Sequence, residues 1–397
     1  MNRLLGSLVI AGALAMPAAA ENAPGVTDTE IKIGQTMPYT GPGARLALPG
    51  KAELAYMQMI NDRGGINGRK INLLSVDDGF MPWRTGNETR KLIEVDNVAF
   101  IFGSIGTATQ LSVAKYLNER KIPQLFIGSG ASRWGNYRDT PYTIGGVRPT
   151  YRLGARAYVR YILRQNPNPK ICILYQDDDF GRDYLLGVRD VLGGKYSSTV
   201  TEASYEFLDR SVDNQITSFK ANGCNAFISA TALDFSIQAI RKVHDLNWKP
   251  IFFISNISTS IPTILQPAGL DNSAGVLSSV YIRDPDDPDF ADDAAVKDWR
   301  AWMNKYMPDA DPHRLNFVNG YNYAATMVQV LKQAGNHLSR ENILRQALNL
   351  HDLELPMLLP GIKVSTSPTD YYPVQQLQLM RFNGKRWERF GDVVQDE

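Results

Sequence analysis

The feature that most constrains this chain is a rhythm. Short apolar runs end in breaks rich in Gly, Ser and Asp, and each break leads into a segment of helical spacing. Residues 30–37 alternate as a strand, residues 38–43 break it, and a helix is expected over 49–61 with Pro49 in its first turn, where a missing N–H costs nothing. A strand over 71–76 and a helix over 85–95 follow. Residues 98–102 read as a buried strand that stops at Gly103, Ser104 and Gly106; helical spacing resumes at Thr107 and runs to about Arg120. Residues 124–127 give the next strand, and the stretch 141–148 reads as one more before a long helix opening at about Tyr151. From Lys170 the pattern restarts, with strands over 171–175, 198–204, 226–230 and 250–254 separated by helices. Such alternation predicts an α/β fold, a parallel sheet flanked by helices, made twice in one chain. Helical spacing returns over 291–307, 317–334 and 341–348, and residues 376–390 read as a closing hairpin around Asn383-Gly384.

In parallel sheets of this kind ligands lie beyond the carboxyl ends of the strands. Two small-residue turns fall there, Ser104-Ile105-Gly106-Thr107 and Ser129-Gly130-Ala131-Ser132, and both read as strand, turn, then helix. The free N–H groups and partial positive charge of a helix start suit such a turn to an anion. Either turn alone is also an ordinary connector.

Length and charge narrow the function. A chain of 397 residues is long enough for two domains, and a formal charge of +1 without a basic run argues against nucleic acid as partner. Arg3, the apolar run 4–15 and Ala18-Ala19-Ala20 have the form of a secretory signal peptide, residues 1–20, cleaved near Ala20. An exported, soluble chain is expected to begin near Glu21. Its two cysteines, Cys172 and Cys224, stand at the edges of two expected strands; they form a disulfide if those strands are neighbours, and otherwise are two small buried residues.

Catalytic motifs fail on spacing. Six residues separate Gly43 from Gly50 and Lys51 is followed by Ala52, so no phosphate loop is formed. Gly103 to Gly106 is not a dinucleotide fingerprint, and Ser129 between Gly128 and Gly130 is not a nucleophile elbow. The four histidines are scattered, and Asp177-Asp178-Asp179 sits where a helix needs an N-cap. Residues 284–289 lack the central Gly and terminal Glu of a calcium loop. No enzyme activity, cofactor or metal is expected.

Taken together, Ile31-Lys32-Ile33-Gly34, Thr40-Gly41-Pro42, the run 60–68 (INDRGGING), Asp77-Asp78, the turn 103–110 and the run 175–181 (YQDDDFG) resemble the type I periplasmic solute-binding proteins of ABC importers, in their branched-chain amino-acid branch. The resemblance covers essentially the whole mature chain. It implies two Rossmann-like lobes with parallel sheets joined by three crossovers, lobe one being residues 28–145 plus 279–355 and lobe two residues 146–278 plus 356–397. It also implies a monomer whose clamp closes on a small molecule and is read by an inner-membrane ABC permease.

In amino-acid-binding members the ligand carboxylate is held by turns matching Ser104, Ile105, Gly106 and Thr107 and Ser129, Gly130, Ala131 and Ser132. A second-lobe tyrosine corresponds to Phe180, the tyrosine of the next loop, after Thr231, is Ala232, and the acid that meets the ammonium is Asn256. An Asn hydrogen-bonds but supplies no charge, so a buried ammonium there would be unpaired. These departures are similar to the branch members that bind aromatic acids and imply a carboxylate ligand without an α-amine. Tyr39 and Arg148 join the implied cleft residues; Arg148 either faces the carboxylate or is an exposed hinge charge. Amino-acid or amide binding, and a ligand-sensing subunit of a signalling system, are the alternative roles.

Overall fold

A computed structural model describes residues 22–395. The expected signal peptide and its cleavage point lie outside the described residues. The first sheet contains β1 (Glu30–Met37), β2 (Lys70–Asp77), β3 (Ile101–Phe102) and β4 (Gln124–Leu125), in the order β2-β1-β3-β4. All its pairings are parallel, and β1 and β2 run in register from Glu30 opposite Lys70 to Met37 opposite Asp77. The second sheet contains β5 (Ile171–Gln176), β6 (Val200–Tyr205), β7 (Ala226–Ala230), β8 (Ile251–Ile254), β9 (Leu277–Val280), β10 (Gln376–Phe382) and β11 (Trp387–Gln395). Its order is β11-β10-β9-β8-β7-β5-β6, parallel from β6 to β9 and antiparallel through the terminal hairpin. Every residue of β7 is buried, as expected of a strand with helices on both faces.

Helices α1 (Leu48–Asp62), α2 (Pro82–Glu94), α3 (Thr107–Glu119), α4 (Tyr151–Gln165) and α5 (Asp179–Leu192) follow their strands as crossover connections require. The later helices Ala294–Tyr306 and Asn316–Ala334 return to the first sheet and pack on α1. The chain therefore passes between the two sheets three times: after β4, after β9 and before β10. β9 extends to Val280, so the second sheet runs past the boundary expected at 278. Among the described residues, no helix is long and apolar enough to cross a membrane.

Three expectations need correction. Residues 141–148 form no strand; Thr143 makes a single bridge to Gln124, and beyond it Gly145 donates its N–H to the Tyr371 carbonyl of the third crossing. The strand at 124 ends at Leu125 because Phe126 adopts the left-handed region, with φ 54°. The turn 129–132 leads into one short 3-10 turn, Ser132–Gly135, rather than into a helix, so it has no helix dipole to offer an anion. Cys172 and Cys224 are joined as a disulfide, with Cα atoms 5.9 Å apart. β5 and β7 are direct neighbours, which brings the two together in the core beneath them.

Candidate functional site

The carboxyl ends of both sets of parallel strands face one cleft of about 1170 Å³, counting its open mouth. The first lobe contributes Leu46, Pro49, Glu53, Phe80, Gly103 and the turn Ile105-Gly106-Thr107; the second contributes Gln176, Asp178, Phe180, Phe207, Ala232 and Asn256. Arg148, Tyr151, Tyr281 and Tyr323 close its back, near the crossings. The walls combine apolar and aromatic side chains with polar ones, among them Thr259, Ser260, Asn316 and Asn319, as small-molecule sites do.

Two helix starts face this cleft, and they differ. At α5, Asp178 is the N-cap: its Oδ1 accepts from the N–H groups of Phe180 (2.9 Å) and Gly181 (3.2 Å), and its Oδ2 accepts from Gln176 Nε2 (2.7 Å). That end is already satisfied. At α3 the cap position is Gly106, and no side chain caps the first turn. Gly106 has φ 109°, and a Cβ there would lie 2.3 Å from Thr109 Oγ1 and 2.7 Å from the Phe80 ring. Only glycine lets the turn pass beneath Phe80 and leave its helix start open. Thr107 adds a hydroxyl, 2.8 Å from Ser129 Oγ.

Arg148 supplies the positive charge. It is half-buried; its guanidinium carbon lies 5.7 Å from the centre of the Tyr151 ring and 5.9 Å from that of Tyr281. Its Nη2 donates to Asn256 Oδ1 at 3.3 Å, a long bond, and its enclosed Nε has no partner. Among the described residues no carboxylate forms an ion pair with it. A half-buried guanidinium with spare donors is suited to an anionic ligand.

The two lobes touch across the mouth. Arg45, just before α1, pairs with Asp234 at 2.5 Å, and the rings of Phe80 and Phe207 stand 5.1 Å apart.

A family model described as periplasmic binding protein matches residues 30–386. The chain belongs to the periplasmic binding protein family. A curated relative, the Leu/Ile/Val-binding protein homolog 7 of Brucella melitensis biotype 1, is 24% identical over 260 residues, which are 63% of this chain and 62% of that protein. The matched stretch thus spans about six tenths of the relative's length. Among solved structures, a branched chain amino acid ABC transporter protein from Thermus thermophilus with bound valine superposes with TM-score 0.81 at 16% identity, covering 94% of this chain and 98% of that one. A solute binding protein of an ABC transporter from Rhodopseudomonas palustris BisB5, in complex with 3,4-dihydroxy benzoic acid, gives TM-score 0.74 at 18% identity, covering 93% and 98%. At these identities the structures establish the type I periplasmic binding protein fold.

Of the residues singled out in the sequence of this periplasmic binding protein, Ile105, Gly106, Thr107, Arg148, Phe180, Ala232 and Asn256 line the cleft. The others stand behind it. Ser104 Oγ accepts from the Thr36 N–H at 2.9 Å. Thr231 is enclosed between Ser229 and Ser236, with hydroxyl distances of 2.8 Å to each. Tyr39 hydrogen-bonds Ser75 at 2.6 Å, and burial pushes its hydroxyl up to about 12. In the second turn two amide donors are spent: the Ala131 N–H goes to Ser129 Oγ (3.2 Å) and the Ser132 N–H to Asp183 (3.1 Å), while the Gly130 carbonyl accepts from Tyr151. Ser129, Gly130, Ala131 and Ser132 thus support the cleft from outside its lining, Ser129 through Thr107.

Sequence reasoning missed Glu53, Phe80, Tyr151, Phe207, Tyr281 and Tyr323. Glu53 left one trace, a charge on the apolar face of α1; the aromatic residues left none, because they read as core.

Proposed function

We propose that this protein is the substrate-binding component of an ABC importer, capturing a small organic carboxylate, with an aromatic acid favoured, in the interlobe cleft and presenting it in the periplasm to an inner-membrane permease. The observation that carries the reading is Arg148, which among the described residues has no carboxylate partner, in the same aromatic cleft as the uncapped start of α3. A carboxylate placed between them receives charge-assisted hydrogen bonds from the guanidinium and N–H groups from the helix start. Tyr151, Phe180 and Phe207 offer flat apolar surface for a ring.

Branched-chain amino-acid capture is the second reading, favoured by the names of the relatives. It requires a partner for the ammonium. Position 256 is Asn, Asp178 has both oxygens committed to its own segment, and burial holds the Glu53 carboxyl well above the usual range, opposing ionisation. A thermal-shift and calorimetry screen separates the two. Benzoate-type acids are expected to bind and raise the melting temperature and leucine to leave it unmoved; the reverse order refutes the carboxylate reading.

A further inference from the structure

Glu53 is an acid that neither the fold nor a carboxylate site explains. It lies on α1 with none of its surface exposed, in a protein whose other acids are overwhelmingly at the surface. Its Oε2 accepts from Gln35 Nε2, itself buried and also bonded to the Phe102 carbonyl at 3.2 Å. Its Oε1 is buried and has no hydrogen-bond partner. An unsatisfied buried oxygen is costly, so a group that satisfies it on binding gains more than an ordinary surface hydrogen bond would.

That oxygen lies just behind the cleft wall, closed to water by the turn at Gly103, and a ligand meets it when that turn gives way. Glu53 and Gly103 both line the cleft, and a Cβ added to Gly103 would stand 2.9 Å from both carboxyl oxygens. Gly103 is in the left-handed region, φ 63°, so the turn that passes this close to the carboxyl, with no side chain between them, is one that glycine favours. Glu53, Arg148 and Tyr323 all line the one cleft.

We propose that Glu53 is a specificity-determining residue that hydrogen-bonds a hydroxyl of the ligand, at a point separate from the carboxylate position at Arg148 and α3. The inference rests on the carboxylate reading and deepens it: the preferred ligand is a hydroxylated organic acid. The role follows from the surroundings. Glu53 has one neutral amide as donor and, among the described residues, no cation beside it, which suits a neutral carboxylic acid and not a buried anion. A neutral acid can donate or accept at Oε1, and a hydroxyl answers either role. An ammonium would instead require the acid to ionise in place.

Calorimetry on the purified protein tests this with benzoate, 3-hydroxybenzoate, 4-hydroxybenzoate, 4-(aminomethyl)benzoate, phenylacetate and 4-hydroxyphenylacetate as probes. At least one hydroxy acid should bind roughly tenfold more tightly than its parent acid. Glu53→Leu should abolish that preference, read as the ratio of the hydroxy acid's affinity to its parent acid's in the same variant. Glu53→Gln, an amide that also donates and accepts, should keep most of it, and provides the test if the leucine variant does not fold. A hydroxyl that brings no gain in the wild type, or a gain that survives in Glu53→Leu, overturns the proposal. A preference for the aminomethyl acid that Glu53→Gln destroys also overturns it, by making Glu53 a counter-charge. Absence of binding by every acid, parent acids included, would instead strike the carboxylate reading beneath it.

Discussion

Replacing Arg148 with Met separates ligand binding from folding, and the two effects are expected to differ sharply in size. In the free protein the guanidinium has one long hydrogen bond, 3.3 Å to Asn256 Oδ1, an Nε without a partner, and two tyrosine rings at 5.7 and 5.9 Å. Losing these contacts costs roughly 1–2 kcal/mol. Removing a half-buried cation with no carboxylate partner returns desolvation energy of similar size. Met keeps the length and apolar packing of the side chain. The net change in unfolding free energy should therefore fall within about 1 kcal/mol. Binding has no such offset. A charge-assisted hydrogen bond is worth about 1.5–3 kcal/mol, so the dissociation constant for a carboxylate should rise roughly 10- to 150-fold. Arg148→Lys keeps the charge but not the planar fork and should fall between the two. Denaturant unfolding of the free protein and calorimetry with the tightest-binding acid of the screen read both quantities. Unchanged affinity in Arg148→Met, or loss of several kcal/mol of stability with no ligand present, would show that Arg148 is a structural hinge charge and refute the argument.

Two further perturbations follow from the same geometry. Burial raises the Asp183 carboxyl from its usual 3.8 to about 6, the hydrogen bonds from Ser132 and Arg152 opposing it. The folded protein therefore holds more protons than the unfolded chain between about pH 4 and 6, and stability from this group is lost as pH rises through that window. Asp183→Asn should flatten the decline, with Asp284, raised by burial to about 6 as well, and Glu53, Asp78 and Asp178, also raised by burial, leaving a residual slope; an unchanged slope in pH-dependent unfolding would exclude Asp183 as a source. At the mouth, the Arg45–Asp234 pair is exposed on both sides, so Arg45→Ala should weaken binding by less than about fivefold, an effect erased near 1 M salt. Phe207→Ala, which removes the ring packed on Phe80, should weaken it at least as much and persist in salt; calorimetry at two ionic strengths decides.

What the sequence by itself determined is the set of elements and their class. The α/β rhythm is local, because burying one face of a helix, or both faces of a parallel strand, writes a period into neighbouring residues. So is the cap: Asp178 closes the start of α5 through bonds to N–H groups within three residues. Gly106 and Thr107 were legible for the same reason, since an open helix start is made by its own turn. Only the tertiary structure decided which turn keeps its donors. Ser129 to Ser132 read like a twin of the first turn, but Asp183, fifty-one residues from Ser132, takes one of its amides and Ser129's own hydroxyl another. Only the fold brought Glu53, Phe80, Arg148, Phe207 and Tyr323 to one cleft. Of these, Arg148 alone was singled out in the sequence, and there by resemblance; the others look like ordinary core or surface residues, because a cleft is made by two lobes meeting. The period of a strand or helix records which face of that element is buried, and carries no record of what stands opposite it once the chain has crossed the hinge.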